Sequence, residues 1–137
     1  MSLSNEERTT LVNLEMKKSR ETFDEIGILT TANRWSGAAN RLYYAVYHAI
    51  NALLIHDRHE VNTHNGSHAM FNLYYIKTGI LPIEYGRLYS QLQTMREESD
   101  YNCVYEVDPD ELSSRIEPAK ELIDAIENLT NSPTEQQ

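Results

Sequence analysis

One stretch of this chain, from Trp35 to Ile55, constrains the fold more than any other. At 100° per residue, Trp35, Leu42, Val46, Ala49 and Leu53 fall on one face of a helix. Tyr43, Ile50 and Leu54 lie beside that face, roughly 80–120° away. Gly37, Arg41, Tyr44, His48 and Ile55 occupy the opposite flank. A helix so nearly apolar all round needs cover on most sides. It is therefore either the centre of a bundle or packed against a second chain.

The rest of the chain reads as helices gathered around this one. No run shows the two-residue alternation of a half-buried strand. The 5 glycines and 4 prolines sit at punctuation points. A first helix is expected from Ser4, whose spacing to Glu7 suits a capping box, to about Gly27, with Leu11, Leu14, Phe23 and Ile26 as its apolar face. The second is expected from about Thr31 to His56. A third, from about Gly66 to Lys77, would close on Thr78-Gly79 in a left-handed cap. A fourth would run from about Ile83 to Ser99 through Leu88, Leu92 and Met95. The fifth opens at Asp108-Pro109-Asp110-Glu111, with cap, first-turn proline and acids in order, and carries Leu112, Ile116, Ala119, Ile123 and Ile126. The expectation is an all-α, up-and-down bundle of about five helices. It forms a single domain over residues 1–130, with a disordered C-terminal tail at 131–137.

Composition narrows the function. The 137 residues suit one domain with a core of its own, and the formal net charge of −9 opposes broad coating of nucleic acid. The lone Cys103 excludes an internal disulfide and a multi-cysteine zinc site. No apolar run is long enough to span a bilayer, and the N-terminus lacks a signal-peptide core, so the expected location is the cytoplasm. The charge is uneven, however. Residues 29–96 hold six Lys/Arg and three acids, with all 5 histidines among them, while the flanks hold six bases and eighteen acids. A confined cationic cleft with acidic outer walls is compatible with that division.

Arg41 and His48 are the pair within this middle segment that best suits chemistry. Seven residues make nearly two turns, so both side chains leave the helix on one side, about 10 Å apart along the axis. Arg can grip phosphate oxygens bidentately, and His can move a proton near neutrality. Together they could cleave RNA without a metal, with His acting at the ribose 2′-hydroxyl or the leaving oxygen and Arg stabilising charge on phosphorus. The competing roles for the same two residues are a salt bridge and a core histidine.

The segment Arg41-Leu-Tyr-Tyr-Ala-Val-Tyr-His48-Ala-Ile-Asn-Ala-Leu-Leu54 resembles the HEPN domains, above all their small stand-alone bacterial and archaeal group. Their signature is an Arg and a His separated by four to six residues on a long helix. Further blocks match in order: Thr63-His64-Asn65-Gly66 with Phe71, Lys77-Thr78-Gly79, and Arg96-Glu-Glu-Ser-Asp100-Tyr101. The resemblance covers about residues 10–127. It implies a helical bundle that often dimerises about its long helix, and in many members a metal-independent, cofactor-free endoribonuclease. There Arg and His of two subunits share one cleft and leave 2′,3′-cyclic phosphate or similar ends. Many such proteins are toxins neutralised by a minimal nucleotidyltransferase, whereas others bind nucleotides or partners without catalysis.

Carried over by position, Arg41 becomes the phosphate-binding residue and His48 the acid/base. Tyr44, on the same flank, is suited to stack a base, and Asn40, His64 and Arg96 complete the candidates for substrate binding. Active members often place a polar residue directly after the Arg. Here Leu42 stands there and Asn40 precedes the Arg, which keeps a non-catalytic module that binds a nucleotide or a nucleotidyltransferase as the alternative. No metal site is expected. His64 and His68 have a zinc-like spacing within the cluster His56, His59, His64 and His68, but no acid or cysteine completes a ligand set.

Overall fold

The computed structural model describes residues 2–60 and 63–131, excluding the side chain of His64. These described residues form five α-helices: α1 (Asn5–Thr31), α2 (Trp35–His56), α3 (His64–Phe71), α4 (Ile83–Tyr101) and α5 (Pro109–Thr130). A π-helical turn, Asn72–Ile76, extends α3. No strand occurs among the described residues. Of the tail expected at 131–137, only Asn131 is described, as the C-cap of α5.

Local chemistry sets the helix ends. Ser4 and Glu7 form the full capping box at the start of α1. Asp108 caps α5 through its side chain, with Pro109 in the first turn. Helix α1, however, runs straight through the expected stop at Gly27 and ends four residues later. The turn is made by Asn33, which adopts a left-handed φ of 59°. The Asn33 amide donates to the Thr30 carbonyl and the Arg34 amide to the Leu29 carbonyl, the two bonds of a Schellman motif. Helix α2 ends the same way at Arg58, with φ 70° and bonds from Arg58 to Ile55 and from His59 to Leu54. The expected left-handed cap at Gly79 is present, with φ 81°.

The tight turn at residues 32–34 folds α1 back along α2 as an antiparallel hairpin. Both helices rise about 1.5 Å per residue, so residues equally far from the turn lie side by side. Ser19 donates its hydroxyl to the Ala45 carbonyl at 2.6 Å, buried between the helices. Near the far end, Arg8 donates to the Ile55 carbonyl at 2.7 Å. That carbonyl lies in the last turn of α2, where the helix leaves its acceptors without i+4 partners. Alanines 38, 39, 45, 49 and 52 of α2 are all buried.

The buried stripe of α1 is Arg8, Val12, Met16, Ser19, Thr22 and Ile26. This corrects the expected face in part: Leu14 is 55% exposed and Leu11 is also exposed. Three of the buried positions, Arg8, Ser19 and Thr22, are polar and hydrogen-bond-capable, so apolarity alone gives the helix the wrong rotation.

Helix α2 packs against α1, α3, α4 and α5. Its face residues Leu42, Val46, Ala49 and Leu53 are buried, as are Tyr43, Ile50 and Leu54 beside them. The all-round apolarity of α2 is therefore covered within one chain, and a partner chain is not needed to explain it. Leu88, Leu92 and Met95 of α4, and Leu112, Ala119, Ile123 and Ile126 of α5, close the core. The π-helical turn brings Ile76 and Asn72 against α4 at Gly86, where a Cβ would come within 3.3 Å of both side chains. Among the described helices, none is long and apolar enough to cross a membrane.

Candidate functional site

The non-core flank of α2 emerges half-buried and holds Arg41, Tyr44 and His48 in one row. Arg41 is held from two sides. Its Nε donates to the Asn40 side-chain carbonyl at 3.0 Å, and Nη2 reaches the same oxygen. Its Nη1 lies 3.5 Å from the Glu25 carboxylate of α1. The Arg41 guanidinium also sits 5.8 Å from the Tyr44 ring centre. His48 lies one turn further on, its ring 6.4 Å from Tyr44 and 5.4 Å from Tyr47. Its Nδ1 is 2.7 Å from the Glu15 carboxylate, also of α1.

Arg96 enters this row from α4. Its guanidinium lies 4.8 Å from the Tyr43 ring centre and 5.6 Å from that of Tyr44, so Tyr44 is flanked by two arginines. Arg96 is buried, and its Nη1 is 3.4 Å from Asp100, four residues on. Contact with aromatic faces of this kind is attractive for a planar cation, and the i,i+4 carboxylate fixes its direction. Burial pushes the Tyr43 hydroxyl above its usual range. Burial does the same, more strongly, to Tyr89, which stacks on Tyr43 at 5.6 Å. This aromatic block stays neutral and provides a rigid back wall.

The fold thus gathers Asn40, Arg41, Tyr44, His48 and Arg96. The Asn40 carbonyl is committed to Arg41, so in this arrangement Asn40 orients the guanidinium. The side chain of His64 lies outside the described residues. The other histidines separate: His56 Nδ1 meets Asp57 at 2.7 Å, His59 stacks on Tyr74 at 4.0 Å, and His68 contacts Gln93 and Ser90. Among the described residues no three metal-ligating side chains converge.

Sequence reasoning missed the two α1 acids. The flanks were expected to wall the cleft from outside, whereas Glu25 and Glu15 touch both members of the Arg–His pair. A usable signal existed in the hairpin itself. Each acid lies about as far before the turn at 32–34 as its partner lies after it, as do Ser19 and Ala45.

The arrangement pairs a guanidinium able to grip a phosphate with an imidazole about 10 Å along the helix axis, beside an aromatic ring on which a base can stack. Comparison with known proteins identifies the family. The HEPN domain profile matches residues 12–129. A Thermotoga maritima protein named "UPF0332 protein" is 30% identical over 123 residues, covering 90% of this chain and 93% of its own. Two proteins of Methanocaldococcus jannaschii are also similar. One, named "Putative toxin MJ0605", is 29% identical and covers 79% of this chain and 80% of its own. The other, "Putative toxin MJ0142", is 24% identical over 70% of this chain and 65% of its own. With a profile match over most of its length and a helical bundle built around the Arg–His helix, the chain belongs to the HEPN domain family.

Proposed function

We propose that this protein is a metal-independent endoribonuclease of the toxin type, acting as a homodimer in the cytoplasm. The observation that carries the reading is the row Arg41, Tyr44 and His48 on one half-buried flank of the central helix. Two copies meeting along α2 would bring two such rows into one cleft. A base on one His48 takes the 2′-hydroxyl proton as O2′ bonds to phosphorus. The P–O5′ bond breaks, and the proton for the leaving O5′ comes from the His48 of the other subunit. Arg41 stabilises the charge on the phosphoryl oxygens. The products are a 2′,3′-cyclic phosphate and a 5′-hydroxyl. A minimal nucleotidyltransferase is the proposed neutralising partner.

Glu25 does not block this role. An ion pair between side chains 32% and 50% exposed is worth about 0–1 kcal/mol, and a phosphate gripped bidentately displaces it. The adjacent acids do predict modest RNA affinity that falls with salt.

One observation favours the alternative, a non-catalytic module that binds a nucleotide or a nucleotidyltransferase. Leu42, directly after Arg41, is fully buried and cannot supply a polar group to the cleft. The two readings separate in one assay. Under the nuclease reading, purified protein cleaves RNA in the presence of EDTA, the ends carry cyclic phosphate, and His48→Ala does not cleave. Equal cleavage by His48→Ala, or none by wild type alongside a nucleotide bound in calorimetry, selects the alternative.

A further inference from the structure

We propose that Glu15 is a positioning residue for His48: its carboxylate accepts the Nδ1 proton and leaves Nε2 as the nitrogen offered to substrate. The two α1 acids differ in a way that points to this role. Glu25 approaches Arg41 at 3.5 Å and is half exposed. Glu15 approaches His48 at 2.7 Å, and the two side chains are only 27% and 22% exposed. The first geometry is that of a loose surface pair, and the second that of a directed hydrogen bond. A carboxylate is an acceptor only, so the nitrogen facing it must carry the proton. In neutral His48 the other nitrogen then bears the lone pair, and that nitrogen is the one able to take a proton from a hydroxyl. The groups facing the ring are Glu15 from α1 and the Tyr44 and Tyr47 rings from α2. Of these, Glu15 alone is charged.

The backbone holds Glu15 in place. Ser19, one turn along α1, is pinned to the Ala45 carbonyl at 2.6 Å, and Ala45 lies one turn before His48. The hairpin register that puts Ser19 beside Ala45 also puts Glu15 beside His48. Rotation of the imidazole about χ2 would put Cδ2 in the place of Nδ1 and Cε1 in the place of Nε2, and the hydrogen bond to Glu15 opposes that flip. The relation of Glu15 to His48 is that of the orienting carboxylate in a Ser-His-Asp triad, which fixes tautomer and direction without itself moving a proton.

For its kinetic consequence this inference rests on the acid/base reading of His48, but the tautomer itself can be read without RNA. Long-range 15N–1H spectra of His48 at a pH where the ring is neutral should show the Nδ1–H form in wild type. In Glu15→Ala they should shift to the Nε2–H form preferred by a free imidazole. The same spectrum in both proteins, or Nε2–H in wild type, overturns the proposal. With RNA, Glu15→Ala should lose about 100-fold in kcat with KM little changed, as expected for a misplaced reacting group. Glu15→Gln, whose carbonyl can still accept the Nδ1 proton, should recover much of that loss. If His48→Ala abolishes cleavage and Glu15→Ala cleaves like wild type, the proposal fails while the nuclease reading stands. If His48→Ala cleaves like wild type, the nuclease reading fails, and the spectra alone decide the role of Glu15.

Discussion

The two sides of α2 are built from the same helix and do opposite work. On the core side, Leu42, Val46, Ala49 and Leu53 are buried and contribute by packing. On the other flank, Arg41, Tyr44 and His48 remain half-buried, and their contacts are hydrogen bonds, ion pairs and ring edges. Arg41 and Leu42 fall on different sides because 100° of rotation separates neighbours. One helix can therefore anchor a core and present a site, provided the two faces never exchange roles. Stability and activity should then separate cleanly along it.

The largest effect that tests this separation is on the flank. His48→Ala should reduce RNA cleavage by about 10²–10⁴-fold, the usual worth of a positioned acid/base. The loss of its single hydrogen bond to Glu15 should cost only about 1 kcal/mol of stability, read as a small drop in Tm. A large loss of stability would break the comparison. Leu42→Ala is the mirror experiment. It should cost about 2–5 kcal/mol in chemical denaturation, because the side chain is fully buried and leaves a cavity. The folded fraction should keep its specific activity.

A smaller effect probes the turn that sets the two faces in register. Asn33 sits at a φ of 59°, which costs most L-residues about 1–2 kcal/mol and Asn less. Asn33→Ala should lose about 1 kcal/mol, and Asn33→Gly should be close to neutral, with cleavage unchanged in both. The smallest effect lies away from both faces, where Arg20 of α1 pairs with Asp124 and Glu127 of α5. The hydrogen bond from Arg20 holds the Asp124 carboxyl below its ordinary range. A carboxylate with a depressed folded pKa adds stability above its unfolded value and loses it as pH falls through the folded one. The Tm deficit of Arg20→Ala should therefore be present near neutrality and shrink below about pH 4. These groups are well exposed, so the deficit should be slight.

How much of this was legible depended on whether a signal was local. The division of α2 into core face and flank follows from residue spacing, and the structure reproduces it. The caps at Ser4, Asp108 and Gly79 are equally local. The end of α1 was not legible in the same way, because Asn33 rather than a glycine takes the left-handed position. Nor was its buried face, because Ser19 and Thr22 occupy it and look like surface residues. The π-helical turn at Asn72–Ile76 was read as ordinary helix. Its backbone bond from Lys77 to Asn72 leaves no mark in the spacing of apolar residues.

The sequence by itself determined the helices, the bundle class and the placing of Arg41 and His48 on one side of the central helix. Those follow from 3.6-residue periodicity and capping chemistry, which act over a few residues. The tertiary structure alone decided what meets that pair: Glu15 and Glu25 from α1, and Arg96 from α4 beside Tyr44. These neighbours depend on where the turn at 32–34 closes and how α1 is rotated about its axis. A one-residue change in either would turn each acid by about 100°, away from its partner.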